Sequence, residues 1–201
     1  MFRRLKISGE LAQDGGDSPV SIEADYFARQ ITPTTFTGAL SLPTMTTMNA
    51  KLARLYKDAT WAGKATTELT SLLRAFEFEI ITGMHPKFLG SADKYFATYG
   101  EGFIDAMLTL TLEGAAAADT IYDEYQAGTA KAYSLKINGP VIGTGVAHKL
   151  QLDIWGRPEM VEPLSAESEG NNLHQVLIHG QYDTTGAAIC DVDVITNSNS
   201  I

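Results

Sequence analysis

The 201-residue chain is poor in the groups that do chemistry. Its one cysteine, Cys190, excludes an internal disulfide and a cysteine-based zinc site. In ICDVDVI this thiol alternates with Asp191 and Asp193 and shares a face with Val192 and Val194, the setting of a structural thiol. No apolar run is long enough to span a bilayer, and no signal-peptide core follows the basic opening MFRRLKISGELAQDGG. A soluble chain made in the cytosol is the expectation. Of the four histidines (His85, His148, His174 and His179), no two are spaced to meet on one face as zinc ligands do. The serines form no G-x-S-x-G elbow, and Cys190 has no neighbouring base. The carboxylate pairs Glu77/Glu79 and Asp191/Asp193 lie on outer strand faces, where solvation accounts for them. The expectation is no enzyme, no cofactor and no metal.

Nucleotide loops are absent too. In LKINGPVIGTGVAHKLQLDIWG, Gly143-Thr144-Gly145 is followed three positions later by His148 where a dinucleotide loop has glycine, and Lys149 precedes Leu150 where a P-loop has Ser or Thr. The glycines read as a chain reversal, with Asn138-Gly139 taking positive φ and Leu150, Leu152 and Ile154 resuming strand alternation.

Cations are scarce in the second half. Residues 1–100 carry 11 Lys and Arg against 10 Asp and Glu, whereas residues 101–201 carry 4 against 14, within a net charge of −9. A surface that grips nucleic-acid phosphates needs the opposite sign, so direct binding of DNA or RNA is disfavoured.

What is present is period-2 patterning. Val20, Ile22, Ala24 and Tyr26 alternate with Ser21, Glu23 and Asp25, and a weaker TFTGALSL follows the bend at Ile31–Thr35. Phe76, Phe78 and Ile80 oppose Glu77 and Glu79; Ile104, Ala106, Leu108, Leu110 and Leu112 oppose Asp105, Met107, Thr109, Thr111 and Glu113. Tyr133, Leu135 and Ile137, LHQVLIHGQYD and ICDVDVI continue it. About eight such strands imply a mainly β chain, a β-sandwich or partial barrel. One helix is predicted over about 114–127, from Ala118, Ile121, Tyr122 and Tyr125 at helical spacing and Gly128 as its stop. Between Pro86 and Gly100, Phe88, Leu89, Ala92, Tyr95, Phe96 and Tyr99 fit a helix face or a loop over a sheet edge. NAKLARLYKDA fits a helix or, better, a long hairpin. The chain reads as a single domain: an N-terminal arm with the first strands over 1–33, a long loop over 40–69, a core sandwich over 70–197 and a polar tail at 198–201.

The serial order FEFEIITGMHPKFLG, TYG, a Thr/Leu strand ending in LEG, DTIYDEYQ, LKINGPVIGTGVAHKLQLDIWG and HGQYDTTGAAICDVDVITN resembles the major tail tube protein of long-tailed bacteriophages. It covers residues 70–197 and, more loosely, 33–69. The resemblance implies a small β-sandwich with a flanking helix, six-membered rings, and rings stacked into a tube through which the genome passes. It further implies a place in the virion tail after synthesis in the host cytoplasm, with tape measure, tail terminator and distal tail proteins as partners. Related tubes occur in contractile tails, secretion systems and gene transfer agents.

On that resemblance, Glu77, Glu79, Asp105, Asp191 and Asp193 would line the lumen and repel phosphates, so that DNA slides without specific binding. The segment 40–69 is too long and too apolar for an idle loop; Met45, Met48, Lys51, Leu52, Arg54, Leu55, Lys57, Trp61 and Lys64 are assigned to contact between stacked rings. Two other classes compete. A carbohydrate-binding β-sandwich of a virion or cell surface would stack a sugar on Trp61 or Trp155, and a hydrolase would need two of the carboxylates converging in a cleft.

Overall fold

The computed structural model describes residues 1–12, 16–30, 35, 47–90, 94–143, 145–168 and 171–196. Met45, most of TFTGALSL and the tail 198–201 lie outside them. Along the chain come β1 (Phe2–Glu10), β2 (Ser21–Tyr26), β3 (Ala53–Asp58), β4 (Glu68–Leu69), β5 (Leu73–Ile81), β6 (His85–Lys87), β7 (Thr98–Gly100) and β8 (Asp105–Glu113). Helix α1 (Ala116–Ala127) precedes β9 (Lys131–Gly143), β10 (Val146–Ser168), β11 (Asn171–Gly180) and β12 (Cys190–Ile195). Ten of these strands form one antiparallel sheet in the order β2, β1, β5, β8, β11, β10, β9, β3, β4, with β12 also on β10. The sheet is open; β6 and β7 stand apart as a hairpin.

The alternation buries one face. Ile7, Phe76, Phe78, Leu108, Leu110, Val176 and Ile178 join Leu55, Tyr133, Leu135, Leu152 and Ile154 in a single apolar cluster, closed by Ala118 and Ile121 of α1. The sheet curls to make this possible. A 3-10 turn at Ala50–Leu52, ahead of β3, returns to β1 near the far end of the sheet: Ala50 donates to the Ser18 carbonyl at 2.7 Å, and a Cβ on Gly9 would lie 2.9 Å from that of Ala50. The result is the expected partial barrel.

The 23-residue β10 serves both parts of the sheet. From 146 to 156 it runs between β9 and β12; from 156 to 168 it pairs with β11. At the changeover Gly156 pairs with Gly180, and a Cβ on Gly156 would lie 2.3 Å from the His179 carbonyl oxygen. Only hydrogen fits there.

The helix falls where predicted, ending on Gly128 in the left-handed region, whose N–H reaches the Tyr125 carbonyl at 3.1 Å. It is held to the sheet at Glu124, which accepts from the Tyr133 hydroxyl at 3.2 Å and pairs with Lys57 at 3.1 Å. No helix among the described residues is long and apolar enough to cross a membrane.

Several expectations need correcting. The reversal after β9 is not at Asn138-Gly139: the strand continues through an irregular register to Gly143, and Gly145, at φ +79°, takes the positive angle. Pro140, which has no N–H to donate, is tolerated at this irregularity. Where a helix face or a loop was expected between Pro86 and Gly100, His85–Lys87 pairs with Thr98–Gly100 as the β6/β7 hairpin, with Phe96 against Phe27 and Phe88 at ring separations of 5.5 and 6.3 Å. Ile104 precedes β8 and is exposed, so the buried set starts at Ala106. NAKLARLYKDA follows the preferred of its two readings: a 3-10 turn leads into β3, which pairs antiparallel with β4 as one arm of a long hairpin.

Gly156→Ala is expected to destabilise the fold by ~1–3 kcal/mol, the usual cost of forcing atoms into a packed site. Denaturant unfolding measures this, and an unchanged midpoint would show that β10 and β11 can separate at no cost.

Candidate functional site

The outward faces of the sheet hold every predicted lumen residue, and each carboxylate has a basic side chain of its own chain beside it. On β5, Glu79 is hydrogen-bonded to the Arg4 guanidinium and Glu77 is 2.8 Å from Lys6. At the start of β8, Asp105 meets His179 at 2.6 Å, and on β12, Asp191 meets Lys64 at 2.9 Å and Asp193 meets Lys149 at 2.7 Å. The carboxylates are therefore not bare charges. Glu77, Glu79 and Asp105 share one face of the β1/β5/β8 portion; Asp191 and Asp193 lie on the β10/β12 portion.

His179 is held from both sides, Nε2 against Asp105 and Nδ1 against Glu159 at 3.1 Å. These hydrogen bonds, led by that to Asp105, raise its pKa above the ordinary value. Arg157 approaches the same Glu159 at 3.7 Å. Cys190 is half-buried, and burial, followed by Asp191, pushes its thiol up to about 11, which suits a packing role.

The other portion of the outer face is covered. After β3, residues 59–67 cross over it as a strap. Asp58 anchors both ends of this turn, accepting from the Thr66 amide and hydroxyl at 3.1 and 2.7 Å and from the Thr67 amide at 3.1 Å. Burial works to raise the Asp58 pKa, but these hydrogen bonds outweigh it and hold it low. Lys64 reaches Asp153, whose side chain is 1% exposed, at 2.9 Å, and Gln151 donates to the same carboxylate at 2.9 Å. Lys136 donates to the Ala65 carbonyl at 2.9 Å. Burial would lower the Lys64 pKa; Asp153 and Asp191 together raise it.

The strap revises the stacking assignment. Leu55 is 1% exposed within the single chain and belongs to the core, because β3 is an interior strand of the main sheet. Lys57 is engaged by Glu124 and Thr120, and Lys64 by Asp153 and Asp191. Trp61 has Lys64 Nζ 4.4 Å from its ring centroid and crowds Gly186, where a Cβ would lie 2.2 Å from Cδ1. Lys51, Leu52 and Arg54 remain exposed, Met48 is half-buried, and Met45 lies outside the described residues. Sequence reasoning missed Asp58, Asp153 and the cations Arg4, Lys6 and Lys149. Their only signal was a place on the polar side of an alternating strand, legible once the register is known.

Among the described residues no group of three or more His, Cys, Asp or Glu side chains is placed so that it could hold a metal ion. No family model matches the chain, and no curated protein does. Among solved structures it is similar to the SPP1 tail tube. That structure, from solid-state NMR and cryo-electron microscopy, is 14% identical, with a TM-score of 0.42 over 63% of this chain and 72% of that one.

Two outcomes follow from the ion pairs. Lys64→Met leaves Asp153 buried without a cation and should cost ~3–5 kcal/mol, whereas Asp191→Asn removes an exposed partner worth ~0–1 kcal/mol. Equal losses in urea unfolding would mean that Lys64 contributes nothing through Asp153. For His179, whose folded pKa is raised, the stabilisation is complete below its ordinary value of about 6.5 and is lost as pH rises through the folded value. Melting curves between pH 6 and 9 should therefore fall more steeply for the wild type than for His179→Gln; parallel profiles would contradict the assignment.

Proposed function

We propose that the chain is a structural subunit that assembles with copies of itself into rings, six to a ring by the resemblance, and stacks them into a tail tube conducting DNA. The observation that carries this reading is the open sheet. Among the described residues β2 is paired only to β1, and β12 only to β10, so within them each presents a row of backbone donors and acceptors on its outer side. β2 also exposes Ile22 and Tyr26. Monomeric proteins blunt such edges; pairing them between copies satisfies the backbone and buries the apolar side chains.

The charge pairs suit a conduit in a different way from simple repulsion. A cation in the lumen would retain phosphates, and here Arg4, Lys6, Lys64 and Lys149 are each engaged by carboxylates of the same chain. With these four cations engaged, the faces that carry the predicted lumen carboxylates hold phosphates less strongly, and DNA passes more freely. Tape measure, terminator and distal tail proteins would set the tube's length and ends, and the virion tail would be its place.

The competing readings gain no specific observation. Trp61, the candidate sugar platform, is crowded by Gly186 and Lys64, and the carboxylate pairs face outward on open strands.

Electron microscopy of the purified chain at rising concentration should show rings or tubes; featureless monomers throughout would overturn the proposal. In assembled particles, Glu77→Gln with Glu79→Gln should free Lys6 and Arg4 and produce salt-sensitive DNA retention, log affinity falling with log salt at a slope of roughly −1 to −2. Retention no greater than that of the wild type would show that these pairs do not face the conduit.

A further inference from the structure

The strap over residues 59–67 is closed without help from the core: none of its side chains belongs to the apolar cluster or packs against it. Its base is fixed. Asp58 holds Thr66 and Thr67, and the Lys57 N–H donates to the Thr67 carbonyl at 2.9 Å. Its tip is a turn complete in itself, a 3-10 helix at Trp61–Gly63 capped by the Thr60 hydroxyl, which accepts from the Gly63 N–H at 3.2 Å. The contacts that hold this tip down are Lys64 on Asp153 and Asp191, Lys136 on the Ala65 carbonyl, and Trp61 on Gly186.

Closure works against two costs. Ala65, in the tip, and Ala187, in the loop that the tip touches, sit at φ +62° and +51°, in the left-handed region that disfavours a residue with a Cβ. The covered face is also polar. Ser134 and Asp153, cross-strand partners on β9 and β10, are buried with Gln151, and among the described residues the Ser134 hydroxyl has no hydrogen-bond partner. Lifting the tip returns these groups to water and uncovers no part of the core, and a segment with few buried apolar contacts opens at less cost than the whole fold. Trp61 sets the fit of the closed form: a Cβ on Gly186 would meet its ring, so only glycine at 186 lets the tip lie down.

We infer that the strap is a latch. Residues 60–65 lift as one unit about the Asp58 base while the rest of the chain stays folded, and the movement gives the β10/β12 portion of the outer face two charge patterns. Closed, Lys64 neutralises Asp153 and Asp191, and Ser134 is sealed beneath. Open, both carboxylates are bare, and Lys64 and Trp61 are free. The latch belongs to the single chain and operates whether or not copies assemble.

Ser134 supplies the reporter, because its hydroxyl makes no hydrogen bond for a thiol to lose. In the full chain with Cys190→Ala, the rate at which a thiol reagent labels Ser134→Cys is followed across sub-denaturing urea, beside Val176→Cys, a fully buried core position that reacts only on global unfolding. Urea dependence scales with the surface exposed, so Ser134→Cys should label faster and with a much shallower slope than Val176→Cys. Gly186→Ala, which wedges Trp61 away, should raise the Ser134→Cys rate roughly ten- to hundredfold and keep the shallow slope. Trp61→Ala, outside the core cluster, repeats the test from the other side of the same contact and should act in the same direction. Equal urea slopes at the two positions, or a Ser134→Cys rate that neither substitution raises, would overturn the latch.

Discussion

The structure depends on one strand serving two partners. Because β10 pairs with β9 and β12 over its first part and with β11 over its second, the apolar faces of both parts of the sheet turn toward one core. The close Gly156–Gly180 approach makes the changeover possible, since any side chain there would displace the His179 backbone. A sheet bent in this way need not close on itself. Among the described residues β2 and β12 are each paired along one side only.

Charge is arranged by the same register. Antiparallel pairing sets Arg4 and Lys6 of β1 beside Glu79 and Glu77 of β5, and Lys149 of β10 beside Asp193 of β12. An outer face that looks acidic in the sequence is therefore largely self-neutralised in the folded chain. Exposed pairs of this kind contribute little to stability, about 0–1 kcal/mol each. Lys64 is the exception in energy, because its partner Asp153 is withdrawn from water by the strap.

The elements legible in the sequence were those with one dominant period. FEFEII, the Thr/Leu run of β8 and the helix ending at Gly128 declare themselves because burial on one face is the main constraint on each. Residues 59–67 were not legible: their contacts are to Asp58 nearby but also to Asp153 and Asp191, which only the fold brings within reach. Leu55 was misassigned for the same reason, since its segment's Thr-rich flanks concealed an interior strand. The aromatic set from Phe88 to Tyr99 satisfied a helical spacing by composition, while His85-Pro86-Lys87 paired with Thr98-Tyr99-Gly100 instead. Of the candidate site, the outward carboxylates were correctly placed on their strands, but their counter-ions needed the cross-strand register.

Whether copies complete one another's sheets is the central question, and backbone amides report it directly. Hydrogen exchange should be compared for dilute monomer and concentrated protein over Ser21–Tyr26 and Cys190–Ile195. If the free edges are paired between copies, the outward amides of β2 and β12 exchange rapidly in the monomer and become protected together as rings form. Assemblies in which those amides keep the monomer's exchange rate, or a chain that never assembles, would contradict it.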